Sequence, residues 1–235
     1  MSGSFTFNGT SSASLGLLVN NVSNFGAPSR VVEKIQVPYR NGDLLIDTGA
    51  YNNYIVTYHV SLINSAVADT RAIAAWLLKP QGYCALTDTY NTGETRYAAY
   101  FNQIDYTMAH LNRYGEATIS FDCKPQRFLD SGSNTTTVSS IAMVLSNPTG
   151  FISKPLIQVF GNGTFTVGSF SVTVADNAGD SLYIDCESMQ CYRGTTNMNS
   201  SVELPNGFPT LNASMTTVDK GTTTKLVITP RWWRL

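Results

Sequence analysis

The residues best suited to chemistry in this chain are carboxylates near its C-terminal end. Asp180, Asp185 and Glu187 lie in the stretch DSLYIDCE, and two carboxyl groups flanking a sugar bond are the machinery of glycoside hydrolysis. Asp185 and Glu187 share a strand face only if the strand stays regular through both, and such pairs are common on solvated faces. Serine and threonine are plentiful, but no G-x-S-x-G nucleophile elbow occurs, and the only histidines are His59 and His110. A general base needs a positioned partner, and His59 reads as one position of a regular strand. The four cysteines, Cys84, Cys123, Cys186 and Cys191, form no C-x-x-C and have no paired spacing with histidine. They read as buried apolar residues, with a local Cys186–Cys191 disulfide conceivable on oxidation, and a four-ligand zinc site is not expected. Gly161-Asn162-Gly163 runs into Thr-Phe-Thr rather than a helix, so it predicts a hairpin and not a phosphate cradle. The sequence therefore predicts no catalytic residues, no cofactor and no metal.

The elements around these residues are mostly strands. Charged residues make up 13% of the chain and hydrophobic ones 43%, with 15 Lys plus Arg against 16 Asp plus Glu. That balance suits a β-rich protein with a hydroxyl and amide surface, and it argues against nucleic acid or an anionic membrane as a partner. No run approaches the 18 or so apolar residues of a membrane helix, so no membrane insertion is expected. The N-terminus, MSGSFTFNGTSS, has neither the basic nor the apolar region of a signal peptide, which predicts folding in the compartment where the chain is made. Asn-Gly pairs at Asn8, Asn41, Asn162 and Asn206 are hairpin cues. Arg30–Val37 alternates, and Tyr54–Leu62 puts Tyr54, Val56, Tyr58, Val60 and Leu62 on one face. Glu116–Cys123 points Ala117, Ile119, Phe121 and Cys123 inward. Arg96–Ile104 reads as a further strand. Residues 69–78 form the one expected helix, with Asp69 as N-cap and Ile73, Trp76 and Leu77 as the apolar stripe.

The polar stretch DSGSNTTTVSS predicts a linker over 131–140. Beyond it every segment reads as strand and turn: 141–145, Leu156–Phe160, Gly163–Val167, Phe170–Val174, Leu182–Cys186, Val218–Asp219 and Lys225–Thr229. Short strands at that spacing predict a sandwich, and no helix is expected after residue 125. The last residues, PRWWRL, are too aromatic for a frayed end and predict a docked terminus. Trp232 and Trp233, being adjacent, point to opposite faces, so at least one enters the core. The twelve Tyr and three Trp also leave open a second function, a carbohydrate-binding adhesin that stacks sugars of the host cell wall on aromatic faces.

LYIDCESMQCYRGTTNMN at 182–199, followed by GFPTL at 207–211 and ITPRWWRL at 228–235, resembles the C-terminal domain of siphophage distal tail proteins. NPTGFISKPLIQVFGNG at 147–163 is similar to the start of that domain. FTFNG at Phe5–Gly9, RNGDLLIDTGAYNN at 40–53, the helix carrying Ala75-Trp76-Leu77, and FDCKPQRF at 121–128 extend the resemblance in order over nearly the whole chain. Asn212–Met215 departs from the Pro-Gly-x-Asn turn common in that family. The resemblance implies a non-enzymatic structural protein of the virion, assembled in the host cytoplasm and located at the phage tail tip. It implies an N-terminal antiparallel β domain with one helix over 1–130 that forms a six-membered ring at the end of the tail tube. A galectin-like or carbohydrate-module-like β-sandwich over 141–235 would project from it. The implied partners are other copies of the chain, the tail tube protein, the tail-associated fibre or lysin protein and receptor-binding proteins.

Overall fold

A computed structural model describes residues 3–23, 26–63, 67–109, 114–139, 142–175 and 181–235. The chain divides into two compact units, residues 1–127 with Leu235 and residues 128–234. His110 and Asp180 lie outside the described residues.

The first unit carries β1 (Phe5–Phe7), β2 (Thr10–Ser11), β3 (Leu17–Ser23), β4 (Arg30–Ile35), β5 (Leu44–Tyr51), β6 (Tyr54–Ile63), α1 (Val67–Leu78), β7 (Cys84–Asp88), β8 (Glu94–Ala99), β9 (Tyr106–Ala109) and most of β10 (Tyr114–Leu129). Its main sheet runs in the order β2-β1-β7-β8-β10-β6-β3, with β9 also paired to β10. Gly3, just ahead of β1, makes an isolated antiparallel bridge to Val19 of β3 through a 3.1 Å hydrogen bond, which sets the start of the chain beside β3. Asn8 and Gly9 both take positive φ, as a two-residue turn between right-twisted strands requires, and β1 and β2 pair across them.

The expected inward rows are the observed ones: Val56, Tyr58, Val60 and Leu62 of β6 and Ala117, Ile119, Phe121 and Cys123 of β10 are buried. Helix α1 lays Ile73 and Leu77 into the same core, where each stabilises by roughly 1.5–3 kcal/mol. Trp76 stacks on Phe5 at 5.6 Å and donates its indole N–H to the Phe7 carbonyl at 3.0 Å. The helix starts two residues before Asp69, which therefore sits in the first turn and not at the N-cap. β8 ends at Ala99 rather than continuing to Ile104, and β9 has no counterpart in the sequence expectation.

The second unit carries a helical turn, α2 (Asp130–Ser133), then β11 (Thr136–Val138), β12 (Ala142–Ser146), β13 (Leu156–Phe160), β14 (Gly163–Val167), β15 (Phe170–Val174), β16 (Ser181–Asp185), β17 (Gln190–Arg193), β18 (Thr196–Asn197), β19 (Val202–Glu203), β20 (Met215–Asp219), β21 (Lys225–Thr229) and β22 (Trp233–Arg234). Two antiparallel sheets, β11-β21-β13-β16-β17-β18 and β12-β20-β14-β15-β19, share one apolar core. Ile157, Val159, Leu182, Ile184, Leu226 and Ile228 come from the first sheet, and Phe165, Val167, Val172, Val174 and Val218 from the second. This is the expected β-sandwich.

Three expectations need correction. The stretch 131–140 is no free linker: its described part carries α2 and β11, and β11 pairs with β21 while Val138 enters the core. One apolar residue and three backbone pairs outweigh a composition that otherwise favours disorder. The same helical turn, with a 3-10 turn at Asn199–Ser201, breaks the expectation of no helix beyond residue 125. Gly161–Gly163 is no hairpin, because β13 and β14 belong to different sheets; the glycines make the corner where the chain changes sheet. Asn206-Gly207 likewise turns without pairing its flanking strands, so only two of the four Asn-Gly cues mark hairpins.

Candidate functional site

The carboxylates singled out in the sequence are brought to structural work. Asp185 closes β16 and takes both guanidinium nitrogens of Arg231, at 2.6 and 3.2 Å. It also accepts the backbone N–H groups of Glu187 and Ser188. Burial alone would raise its pKa, but Arg231 and the two N–H groups hold it below the ordinary carboxylate value. A carboxylate kept ionised by a bidentate partner is a poor general acid. Glu187 instead reaches Lys154 at 3.6 Å, both half in water, a pairing of little energetic consequence.

Arg231 is one of several anchors for the C-terminal tail within the second unit. Its N–H donates to the Gly132 carbonyl at 2.8 Å, and Leu129 N–H donates to the Trp232 carbonyl at 2.9 Å. A Cβ on Gly132 would lie 2.3 Å from the Trp232 nitrogen, so only glycine admits this approach. The Ser153 hydroxyl donates to the Pro230 carbonyl, and the Trp233 indole to that of Ile152. Trp232 is buried in the core while Trp233 stays half-exposed against Phe151, the expected split between adjacent residues.

His59 lies on β6 opposite Thr118, whose hydroxyl is 3.3 Å from its Nδ1. It helps line a polar surface pocket of about 400 Å3 with Asn20, Gln103, Asp105, Glu116 and Thr118. Among the described residues no three His, Cys, Asp or Glu side chains converge to hold a metal ion. Cys123, Cys186 and Cys191 are buried, and burial pushes their thiols up to about 12, 12 and 11. Tyr183 and Tyr192 face outward from neighbouring strands and stack on each other, centroids 5.5 Å apart and 12° from parallel. Each ring thus covers one face of the other.

The most concentrated polar cluster escaped the sequence reading. Asp88, at the end of β7, is buried and accepts from the Tyr58 hydroxyl at 2.8 Å, Arg96 at 2.7 Å, the backbone of Tyr90 and Asn91, and the Asn91 amide. Burial works against its charge, yet Tyr58 and Arg96 hold its pKa below the ordinary range. Arg96 also donates to the Tyr54 hydroxyl at 3.0 Å. With these donors around one carboxylate, the cluster ties β6, β7 and β8 together within the core.

The surface that stands out is the β4–β5 hairpin. It forms a two-stranded sheet of its own, and in β4 and β5 every residue but Val31 and Tyr51 is exposed. Val32, Leu45 and Ile46 are 41%, 59% and 44% exposed. Cross-strand partners share a face: Val32 with Asp47 and Lys34 with Leu45 on one, Glu33 with Ile46 and Ile35 with Leu44 on the other. One face is thus apolar but for Glu33, and the other is mixed, with Arg30 bonded to Asp47 at 2.5 Å. The sequence reads Arg30–Val37 as an alternating segment and Asn41 as a hairpin cue; that both faces would stay uncovered carries no local signal.

No protein-family model matches the chain, and no curated protein sequence matches it. Solved structures do. The chain is similar to the SPP1 Dit (gp 19.1) protein, a hub of the adsorption apparatus in phages that infect Gram-positive bacteria, with a TM-score of 0.69 and 12% identity over 97% of this chain and 98% of that one. It is also similar to a chain of the phage p2 baseplate in its activated conformation. With Ca the TM-score is 0.54 at 9% identity, covering 100% of this chain and 99% of that one. With Sr it is 0.52 at 9% identity, covering 97% of each. Over nearly its whole length, therefore, the chain has the fold of a siphophage distal tail protein.

Proposed function

We propose that this chain is a non-enzymatic virion protein that builds a ring-shaped hub at the distal end of a phage tail tube, joining the tube to the tail tip or baseplate for host attachment. The observation that carries the reading is the likeness to SPP1 Dit, which runs through both units in order and leaves almost none of either chain over. The first unit makes a ring of six copies through head-to-tail contacts whose rotation closes. The second, a sandwich with a docked terminus, is the peripheral module. Around the ring stand the tail tube protein, the tail-associated fibre or lysin protein and receptor-binding proteins.

Two further observations support a structural role. The buried and half-buried carboxylates Asp88 and Asp185 are both bonded to arginine, which removes the groups best placed for acid–base work. Low charge suits surfaces that become interface cores, where charged residues are depleted. Light scattering coupled to size exclusion tests the reading. A particle of six times the 25.6 kDa chain mass is expected, and a monomer at every concentration refutes a ring formed by the chain itself.

A further inference from the structure

We propose that Asn41 is a site of spontaneous covalent modification, at which its side-chain amide is lost to attack by the backbone nitrogen of Gly42 and an acidic residue is left behind. This goes beyond the hub reading and does not depend on it. Asn-Gly pairs occur at Asn8, Asn41, Asn162 and Asn206. Glycine is the following residue least able to block such an attack, because it carries no side chain and leaves the backbone freest to rotate. All four pairs share the reactive sequence, and the fold decides which of them can react.

Three are held. Asn8 and Gly9 form the two-residue turn between β1 and β2, their positive φ angles fixed by the pairing of Thr6 with Ser11 and Phe7 with Thr10. Asn8 N–H also donates to the Ala85 carbonyl at 3.0 Å. Gly163 lies in β14 opposite Val174, and a Cβ there would stand 2.3 Å from the Thr222 hydroxyl and 3.0 Å from the Thr223 nitrogen, so its backbone has no room to turn. The Asn206 amide donates to the Ser169 carbonyl at 3.0 Å, and Gly207 N–H donates to that of Leu204 at 3.0 Å. These contacts must open before the glycine nitrogen can reach the amide carbon.

Asn41 and Gly42 lie in the loop between β4 and β5, outside both strands and exposed. Among the described residues neither the Asn41 amide nor the Gly42 N–H has a hydrogen-bond partner. A Cβ on Gly42 would meet nothing within 4 Å, so the space around the pair is open. The Gly42 nitrogen attacks Cγ of Asn41 and the new C–N bond closes a five-membered imide. The side-chain amide C–N bond breaks, and ammonia leaves with the Gly42 proton. Water then opens the imide. Addition at Cγ gives aspartate, and addition at the backbone carbonyl carbon gives isoaspartate, whose chain path runs through the former side chain. Nothing is oxidised or reduced. Three basic and three acidic residues balance across residues 30–51, so either product turns a neutral hairpin into an anionic one.

Peptide mass spectrometry of the full chain, aged in mildly alkaline buffer where the glycine nitrogen loses its proton more readily, tests the proposal. The peptide holding Asn41 should gain the mass of an amide-to-acid change about tenfold faster than those holding Asn8, Asn162 and Asn206, since opening one or two hydrogen bonds slows a step by about that factor. An acidic form should accumulate on ion exchange and be absent from the Asn41→Gln variant, whose longer side chain closes a ring far more slowly. In urea the four pairs should react at comparable rates. A held pair that converts as fast as Asn41 in the folded chain, or an Asn41 that converts only in urea, overturns the proposal. So does a lead for Asn41 that persists undiminished in urea, which would trace it to flanking sequence and not to the fold.

Discussion

Replacing Asp88 with Asn tests the claim that one buried charge cluster holds the first unit together. The Asp88 carboxylate is fully buried and lies 2.7 Å from Arg96, itself 5% exposed. Asn keeps the shape and one acceptor, but its amide turns two hydrogens toward donors that already surround the site. Arg96 is left as a buried cation whose remaining described side-chain bond goes to the neutral Tyr54. Removing one partner of a buried pair in this way costs about 3–5 kcal/mol, much of a typical domain's 5–15 kcal/mol. For a unit of this size that loss lowers the melting temperature by roughly 10–20 °C. The assay is fluorine NMR of 5-fluorotryptophan-labelled protein during urea unfolding. Trp76 reports on the first unit, while Trp232 and Trp233 report on the second and serve as an internal control. Because the folded pKa of Asp88 is lowered, its stabilisation is present above the unfolded value near pH 4 and is lost as pH falls through the folded one. Asp88→Asn should therefore also flatten the acid limb of the first unit's stability. A loss under about 1 kcal/mol, or an unchanged acid limb, refutes the reasoning.

Other consequences concern the second unit and the thiols. Trp232→Ala should cost about 3–5 kcal/mol in urea unfolding of that unit, against less than about 1 kcal/mol for the half-exposed Trp233, with the Trp76 signal unmoved in both. Asp185→Asn breaks the bidentate clamp on Arg231 and should cost about 1–2 kcal/mol, discounted for partial exposure. Since the folded pKa of Asp185 is lowered, this loss should appear above the unfolded carboxylate pKa and vanish in acid. Gly132→Ala should push the tail off α2 and raise amide exchange at Leu129 and Arg231 together. Mild alkylation followed by peptide mass spectrometry should modify Cys84 first, since the other three thiols are buried.

Much of the fold was legible because alternation in β6 and β10 and across β13 to β15 is imposed by a one-sided core, and side chains report that directly. The docked terminus was legible from Trp232 for the same reason. What stayed hidden depends on distant pairing. β11 is ordered by β21, some ninety positions along the chain, so its Thr and Ser composition alone suggests a linker. The sheet change at Gly161–Gly163 turns on which strands neighbour β13 and β14, which no local turn signal encodes. At the sites, Asp185 could be noticed in the sequence but its partner lies 46 residues away. The role of Asp88 stayed hidden because Tyr58 and Arg96 meet it only when β6, β7 and β8 are assembled.

The most direct test of the account is electron microscopy of the purified full chain in physiological salt, at concentrations where light scattering is also read. The account predicts closed rings with a central channel and six-fold symmetry. Fields of single copies, or open filaments with no closed ring, would contradict it.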